Sequence, residues 1–152
     1  MKITTGIDII EVERIQDAID NMGSNFLDRV YTENEIEYCN NSKMMKYQHF
    51  AGRFAAKEAV FKAISDYVDK TVDNLWKKIE IINLESGKPA VNVDKLKDIA
   101  KKTVDISLMD IDISISHIKN CAVASVVAVF DKKVRVKESK ALDAQIFRYN
   151  KK

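Results

Sequence analysis

The feature that most constrains the fold is a long run of helix-forming residues from Tyr47 to about Tyr67. Large apolar side chains recur in this run at helical spacing, and alanine, the residue with the highest helix propensity, fills many positions between them. Gly52 costs such a helix about 1 kcal/mol, unless close packing at that point requires a glycine. The spacing predicts one long helix, with apolar positions Phe50, Ala51, Phe54, Ala55, Ala56, Ala59, Phe61, Ala63 and Ile64.

Five segments have the patterns of β-strands. Asp110 to His117 alternates, with three isoleucines on one face and Asp112, Ser114 and Ser116 on the other. Cys121 to Phe130 is almost wholly apolar, which predicts a central strand. The remaining predicted strands are Ile3–Ile10, Ile79–Ile82 and Ala90–Val93, and a turn at residues 86–89 joins the last two.

Shorter helices are predicted between these segments. The first runs from Val12 to near Gly23, after which Ser24 or Asn25 is expected to cap a turn. Thr32 and Glu35 have the spacing of a capping box, which predicts that a helix begins there. A further helix is predicted over 93–104 from the spacing of its apolar residues.

Composition and charge exclude several classes of protein. The 152 residues are 46% hydrophobic and 32% charged, which is typical of one globular domain and not of a disordered chain. The formal net charge of +2 gives no argument for nucleic-acid binding. The N-terminal residues 1–5 lack the apolar core of a secretory leader and no apolar run has membrane-spanning length, so neither a leader nor a membrane span is expected. Cys39 and Cys121 lie far apart and form no CxxC motif, so reduced thiols and a cytoplasmic location are expected.

The C-terminal segment is richer in lysine and arginine than the rest of the chain. We therefore divide the sequence into a domain over residues 1–130 and a basic extension over residues 131–152. Leu142, Ile146 and Tyr149 fall at helical spacing, which predicts that part of the extension is helical. The preferred interpretation is a solvated helix, and the alternative is a basic surface for an acidic partner.

Asp8 is the first candidate for chemistry, because it lies within an apolar strand. A carboxylate in such a run is costly unless a partner compensates for its desolvation. Metal binding would provide that compensation. An edge strand that turns Asp8 toward solvent would remove the cost altogether, and the strand pattern does not distinguish these two interpretations.

The long helix carries four further charged candidates. Glu58 and Lys62 are four residues apart, in the orientation that favours an ion pair. Arg53 and Lys57 form a like-charged pair at the same spacing, which a bound anion would relieve. An ordinary charged helix face would have the same pattern, so spacing alone does not decide.

Two later segments have weaker signals. Gly87-Lys88-Pro89 is a turn with a cation, and such turns bring backbone N–H groups close to phosphates in some proteins. His117 ends a strand beside Ser114 and Ser116, which modestly raises the odds of a functional role. We interpret His49 and Trp76 as structural.

The order of these motifs resembles that of the holo-acyl-carrier-protein synthases, over about residues 1 to 130. The residues around Tyr31, Thr32, Glu33 and Glu35 are also similar to that family. The matching motifs, in family order, are Gly-Ile-Asp-Ile-Ile-Glu-Val-Glu-Arg-Ile (6–15), Arg-Phe-Ala-Ala-Lys-Glu-Ala (53–59), Gly-Lys-Pro (87–89) and Ser-Ile-Ser-His (114–117).

The resemblance implies an α+β fold, with an antiparallel sheet against a long helix, and a homotrimer with active sites between subunits. It implies that Asp8 and Glu58 are Mg²⁺ ligands, which suits an ion that binds one or two carboxylates together with substrate phosphates. No membrane or nucleic-acid partner is implied.

The implied reaction transfers 4′-phosphopantetheine from coenzyme A to a serine of apo acyl carrier protein, in support of fatty acid biosynthesis. Asp8, Glu58 and Lys62 would be the catalytic residues, with Lys62 facing the phosphates. Glu58, a metal-bound water and Lys62 are all candidates for the general base. The resemblance assigns coenzyme A binding to Arg53, Lys62, Gly87, Lys88, Pro89 and His117, and all of these except Lys62 would hold the nucleotide and its 3′-phosphate.

The sequence departs from the family pattern in two places. The first helix is usually basic for an acidic carrier protein, whereas here Arg14 lies among Glu11, Glu13 and Asp17. The basic extension is one hypothesis for the missing positive charge. A Gly-rich stretch that often follows the long helix is replaced here by residues 65–70, so contacts to coenzyme A there are expected to differ.

Two other classes of function are open at this point. A non-catalytic binding module would keep the fold and coenzyme A, but the joint presence of Asp8, Glu58 and Lys62 argues against it. A nucleic-acid-binding domain would need clustered cations with interleaved aromatic residues. The basic extension offers only Phe147 and Tyr149 for stacking.

Overall fold

Three long strands form an antiparallel sheet in which the last strand of the chain lies in the middle. The computed structural model describes residues 1–106 and 109–131. The strands are β1 (Lys2–Glu11), β2 (Ile81–Asn83), β3 (Pro89–Val91), β4 (Met109–His117) and β5 (Cys121–Phe130). The helices are α1 (Val12–Met22), α2 (Ser24–Val30), α3 (Glu33–Asn40), α4 (Lys46–Ile64), α5 (Leu75–Lys78) and α6 (Val93–Leu96), and a 3₁₀ turn over Lys97–Ile99 follows α6.

The sheet order is β1-β5-β4, so the prediction that the apolar strand is central is confirmed. Its inner face is covered by α4, the predicted long helix. β2 and β3 form a separate two-stranded ribbon, joined by the predicted turn. The α+β architecture, an antiparallel sheet against a long helix, is therefore confirmed.

Small residues allow β1 and α4 to pack unusually closely. A Cβ atom on Gly6 of β1 would lie 1.9 Å from the carbonyl oxygen of Ala59 in α4. A glycine is expected within this helix only where close packing requires one. Gly52 meets that condition, since a Cβ there would lie 3.0 Å from Cγ2 of Ile115. This packing fixes the position of the side chains that β1 and α4 present near their contact.

Two segments differ from the sequence-based predictions. Residues after Gly23 form the helix α2, with apolar Phe26, Leu27 and Val30 at helical spacing, instead of a capped turn. The helix predicted over 93–104 ends at Leu96. Beyond the 3₁₀ turn the backbone pairs with another segment, because Asp69 N–H donates to Ile99 and Lys101 N–H donates to Tyr67. This tertiary pairing replaces the helical hydrogen bonds.

The outer face of the sheet has exposed apolar side chains on β1 and β5 and polar side chains on β4, where Asp112 lies opposite Val127. Residues of β1 alternate between buried and exposed positions, and the outward side chains include Ile3, Ile7 and Ile9. Ile7 and Ile9 are 64% and 69% exposed, and Val127 in the central strand is 46% exposed. No described element covers this face. Among the described helices, none has the length and apolar character needed to cross a membrane.

Candidate active site

Asp8 and Glu58 line the same cavity, of about 410 Å³, beside the contact between β1 and α4. β1 is an edge strand, but Asp8 lies on the side that faces α4, and its side chain is only 18% exposed. The solvent-facing interpretation of Asp8 is therefore wrong. Arg14, Phe26 and Phe54 line the same cavity. No pattern in the sequence predicted that these three residues would lie there.

The two carboxylates interact electrostatically. Burial raises the pKa of Glu58, and the negative charge of Asp8 raises this pKa further, against the opposing effect of Lys62. A partly desolvated pair of like charges has a strong affinity for protons or cations. The lining of the cavity therefore favours a bound cation.

Lys62 bridges the helix and the strand instead of pairing within the helix. Its ammonium lies 2.7 Å from Asp8 Oδ1 and donates to the carbonyl of Ile7 at 2.9 Å. The expected ion pair with Glu58 is thus replaced by one with Asp8, because β1 offers two acceptors together. Lys62 remains half-exposed, so an incoming phosphate can reach it.

Arg53, Gly87, Pro89 and His117 come together at a second, smaller cavity of about 150 Å³. The Arg53 guanidinium stacks on Tyr38, 3.6 Å from the ring centroid, and donates to Asn83 Oδ1 at 2.5 Å. Arg53 is buried, and its Nε has no hydrogen-bond partner in the described structure. An anion with several oxygens matches this donor set.

Two lysines do not join this cavity. Lys88 points to β4, where its ammonium lies 2.7 Å from Asp112, and it does not line the cavity. Lys57 is fully buried, with its ammonium 2.8 Å from Glu35 and bonds to the carbonyls of Trp76 and Ile79. Of the two interpretations that spacing left open for Arg53 and Lys57, a shared anion is ruled out because Glu35 neutralises Lys57, and an exposed charged face is ruled out because both side chains are buried.

His49, which we interpreted as structural, lines the smaller cavity. Its ring centroid lies 5.8 Å from that of His117 and 5.3 Å from that of Tyr38. Burial lowers the pKa of His49, and the positive charge of Arg53 and the neighbouring His117 lower it further. The spacing of four residues between His49 and Arg53 on one helix was the signal that could have identified it.

The chemistry of the donor set suits Mg²⁺ at the carboxylates. Within residues 1–106 and 109–131, no group of three or more His, Cys, Asp or Glu side chains forms a complete protein cage for a metal. Mg²⁺ does not need one, because it commonly uses one or two carboxylates and takes its other ligands from phosphates and water. The pair Asp8 and Glu58 fits this requirement.

Comparison with known proteins connects this geometry to one family. A family model described as the 4′-phosphopantetheinyl transferase superfamily matches residues 4–123. A curated relative, the holo-[acyl-carrier-protein] synthase of Ruminiclostridium cellulolyticum, is 45% identical over 125 residues, which are 82% of this chain and 90% of that protein.

Solved structures of such synthases have the same fold. The Bacillus anthracis enzyme in complex with CoA (3′,5′-ADP) is 36% identical, with a TM-score of 0.63 over 84% of this chain and 96% of that one. The Helicobacter pylori enzyme in complex with coenzyme A is 28% identical, with a TM-score of 0.64 over 82% of this chain and 99% of that one. The residues that line both cavities lie within the range 4–123 that the family model matches.

Proposed function

Because this chain belongs to the 4′-phosphopantetheinyl transferase superfamily, we propose that its cavities perform the holo-acyl-carrier-protein synthase reaction. The enzyme transfers 4′-phosphopantetheine from coenzyme A to a serine of apo acyl carrier protein, and fatty acid biosynthesis is the usual context. The observation that carries this conclusion is the Asp8–Glu58 cavity with Lys62 at its edge, in a chain so similar to named synthases.

Asp8 and Glu58 would hold Mg²⁺ together with the pyrophosphate of coenzyme A. When bound, the ion supplies positive charge that neutralises the pyrophosphate and makes its phosphorus more electrophilic. The support for this assignment is the shared cavity and the raised pKa of Glu58, which comes from burial first and from Asp8 second.

The remaining steps of the reaction would be carried out by side chains of this protein. The serine oxygen of the carrier forms a bond to the β-phosphorus, and the bond from that phosphorus to the bridging oxygen breaks, so that 3′,5′-ADP leaves. Lys62 would exchange its partner Asp8 for phosphate oxygens and stabilise their growing charge. A base at this site would take the serine proton, and Glu58 and Lys62 are the candidates within this chain.

We assign the nucleotide end of coenzyme A to the smaller cavity. The support is that Arg53, Gly87, Pro89 and His117 line this one cavity. Lys88 belongs to this group only if it leaves Asp112 when the ligand binds. The free thiols of Cys39 and Cys121 support the proposed cytoplasmic location.

A homotrimer with shared active sites would unite the two cavities. In the described part of one chain they have no lining residue in common, yet one coenzyme A has to contact both. The exposed apolar face around Ile7, Ile9 and Val127 offers a surface on which another copy can pack. We therefore propose that the sheets of neighbouring copies meet there and complete each site.

We also propose that the basic extension attracts the acidic carrier protein. Residues 132–152 lie outside the described residues, so the support is their charge and the acidic character of α1. Deletion of residues 135–152 should raise the KM for the carrier protein with little change in kcat. An unchanged KM would rule this role out.

The reaction itself is tested by mass spectrometry of the carrier. Purified enzyme, coenzyme A, Mg²⁺ and apo acyl carrier protein should together add one phosphopantetheine group, and a chelator should prevent the addition. A carrier with alanine at the acceptor serine is the control. No mass gain with several carriers, despite measurable binding of coenzyme A, would instead favour the binding-module function.

A further inference from the structure

Both histidines of the chain lie at the smaller cavity, together with Arg53. His49 comes from α4, one helical turn before Arg53, and His117 comes from the end of β4. Their ring centroids are 5.8 Å apart. Packing, which we took as the role of His49, does not require a second imidazole next to the first at a cavity.

Two polar atoms at this cavity lack hydrogen-bond partners. They are Nδ1 of His49 and Nε of Arg53, and both are buried within the described structure. Arg53 is only 6% exposed, so its unpaired donor costs free energy in the absence of a ligand. Native proteins leave few such groups unpaired, and those that remain call for an explanation. An anion that accepts hydrogen bonds here would remove this cost.

The charges around His49 favour an anion as well. The ionisable groups that face it are Tyr38 from α3, Arg53 from its own helix and His117 from β4. None of the residues lining the cavity is acidic. Burial, Arg53 and His117 keep the pKa of His49 low in the free protein. A dianion in the cavity would reverse the electrostatic part of this effect.

The chemistry of coenzyme A identifies the anion. Its two anionic groups are a pyrophosphate and a 3′-phosphate monoester on the ribose. The carboxylate cavity with its cation accounts for the pyrophosphate, which leaves the monoester for the smaller cavity. A volume of about 150 Å³ suits one phosphate group.

We propose that His49 contacts the 3′-phosphate of coenzyme A together with Arg53 and His117, and takes up a proton when this ligand binds. This inference rests on the proposed function. It makes coenzyme A affinity depend on pH through a group that is remote from the reacting phosphorus.

The sign of this dependence follows from linkage. A group whose pKa rises on binding takes up a proton in the complex, so binding tightens as the pH falls through the pKa of the complex. A rise of about 1 in the pKa of His49 would tighten coenzyme A binding about tenfold at low pH. The phosphate itself begins to protonate near a pH of about 6, so the effect is best measured between about pH 6 and pH 8.

Nuclear magnetic resonance can follow His49 directly, because an untagged chain has two histidines in all. The two imidazole C–H signals are assigned with the variant His49→Gln and then titrated with pH. Saturating coenzyme A should raise the pKa of His49 by about 1. Dephospho-coenzyme A, which lacks only the 3′-phosphate, should leave it near its value in the free protein.

Binding affinities give the second test. Lowering the pH from 8 to 6 should strengthen coenzyme A binding to the wild type several-fold more than binding to His49→Gln. Dephospho-coenzyme A should bind both proteins equally at each pH. If coenzyme A binds but the His49 signal does not respond, or responds equally to both ligands, this inference is overturned and the proposed function stands. If coenzyme A does not bind at all, both are overturned.

Discussion

Glu58 and Asp8 illustrate how a single residue gains its chemistry from its surroundings. A carboxylate on an exposed helix face would simply be ionised, but Glu58 is half-buried and faces a second carboxylate. Its pKa is raised by burial and by that neighbour, so the pair prefers to bind positive charge. In the proposed reaction, this preference would hold the cation that neutralises the pyrophosphate of coenzyme A.

Glu58→Gln should reduce transfer by at least about 100-fold. The amide keeps the shape of the side chain, but it lacks the negative charge that would bind the metal ion and it cannot act as a base. Steady-state transfer to a carrier protein measures the loss, and thermal unfolding checks that the fold persists. Glu85→Gln, at an exposed carboxylate in the β2–β3 turn, is the matched control. Turnover by Glu58→Gln at the wild-type rate would end the metal-ligand assignment.

Lys57 and Glu35 form an ion pair that is almost wholly buried. Glu35 also accepts the N–H groups of Thr32 and Ile81, and Lys57 also donates to two carbonyls, so every charge has partners. Burial lowers the pKa of Lys57, and Glu35 opposes this effect. Such a pair adds little net stability but becomes costly when one partner is removed.

Lys57→Met should therefore lower the free energy of unfolding by about 3–5 kcal/mol, because Glu35 is left as an unpaired buried charge. Urea denaturation measures this change. Lys97→Met is the control, since it breaks the exposed ion pair with Asp94 and should have a far smaller effect. Equal effects of the two substitutions would show that burial does not govern the Lys57 pair.

The contact between β1 and α4 decides the geometry of the site at the level of elements. Gly6→Ala places a methyl group against backbone, 1.9 Å from the carbonyl oxygen of Ala59, so the strand has to move away. We expect a loss of stability of about 3 kcal/mol or more, or failure to fold. Where the variant folds, displacement of Asp8 should also weaken Mg²⁺-dependent transfer.

Gly52→Ala is the matched control for this substitution, and both are compared by thermal unfolding. Its Cβ meets a side-chain methyl, Cγ2 of Ile115, at 3.0 Å instead of backbone, and alanine favours the helix by about 1 kcal/mol. The two effects nearly offset each other, so stability should change little. A Gly6→Ala protein as stable as Gly52→Ala would contradict the close strand–helix packing.

Sequence periodicity correctly predicted the helices and strands that are determined by local sequence. The long helix, the alternating strand β4 and the capping box of Thr32 and Glu35 were all predicted correctly. The segment from Val93 was predicted wrongly, because its backbone pairs with residues near Tyr67 that lie far away in sequence. A local pattern contains no information about such a partner.

The same limit applies to the site. The order of motifs predicted Asp8, Glu58 and Arg53, and the structure places all three at cavities. Helical spacing suggested the wrong partner for Lys62, since spacing reveals neighbours within a helix but not the strand that packs against it. His49 was missed for the same reason, because its neighbour His117 comes from another element.

Two features of the whole molecule are not explained by a single chain. The exposed apolar side chains of β1 and β5 on the outer sheet face are covered by no described element, and the two cavities are separate. Packing of copies through the sheet face would bury the apolar side chains and bring the cavity of one copy toward that of the next. One arrangement therefore accounts for both features.

Val127→Lys tests this arrangement, because Val127 lies in the central strand and 46% of it is exposed on that face. A lysine there would put a charge into the proposed contact between copies, and Asp112, which lies opposite Val127, already pairs with Lys88, so the trimer should dissociate. Leu84→Lys is the matched control: Leu84 is 48% exposed but lies in the turn between β2 and β3.

Sedimentation equilibrium should give three times the monomer mass for the wild type and for Leu84→Lys, and a monomer for Val127→Lys. The monomer should also lose transfer, because each chain still has both cavities but no partner that brings them together. A wild-type monomer, or a Val127→Lys trimer, would contradict assembly through the sheet. A monomeric but fully active Val127→Lys would instead show that one chain binds coenzyme A alone. Both cavities of a single chain would then contact the same ligand without a second copy.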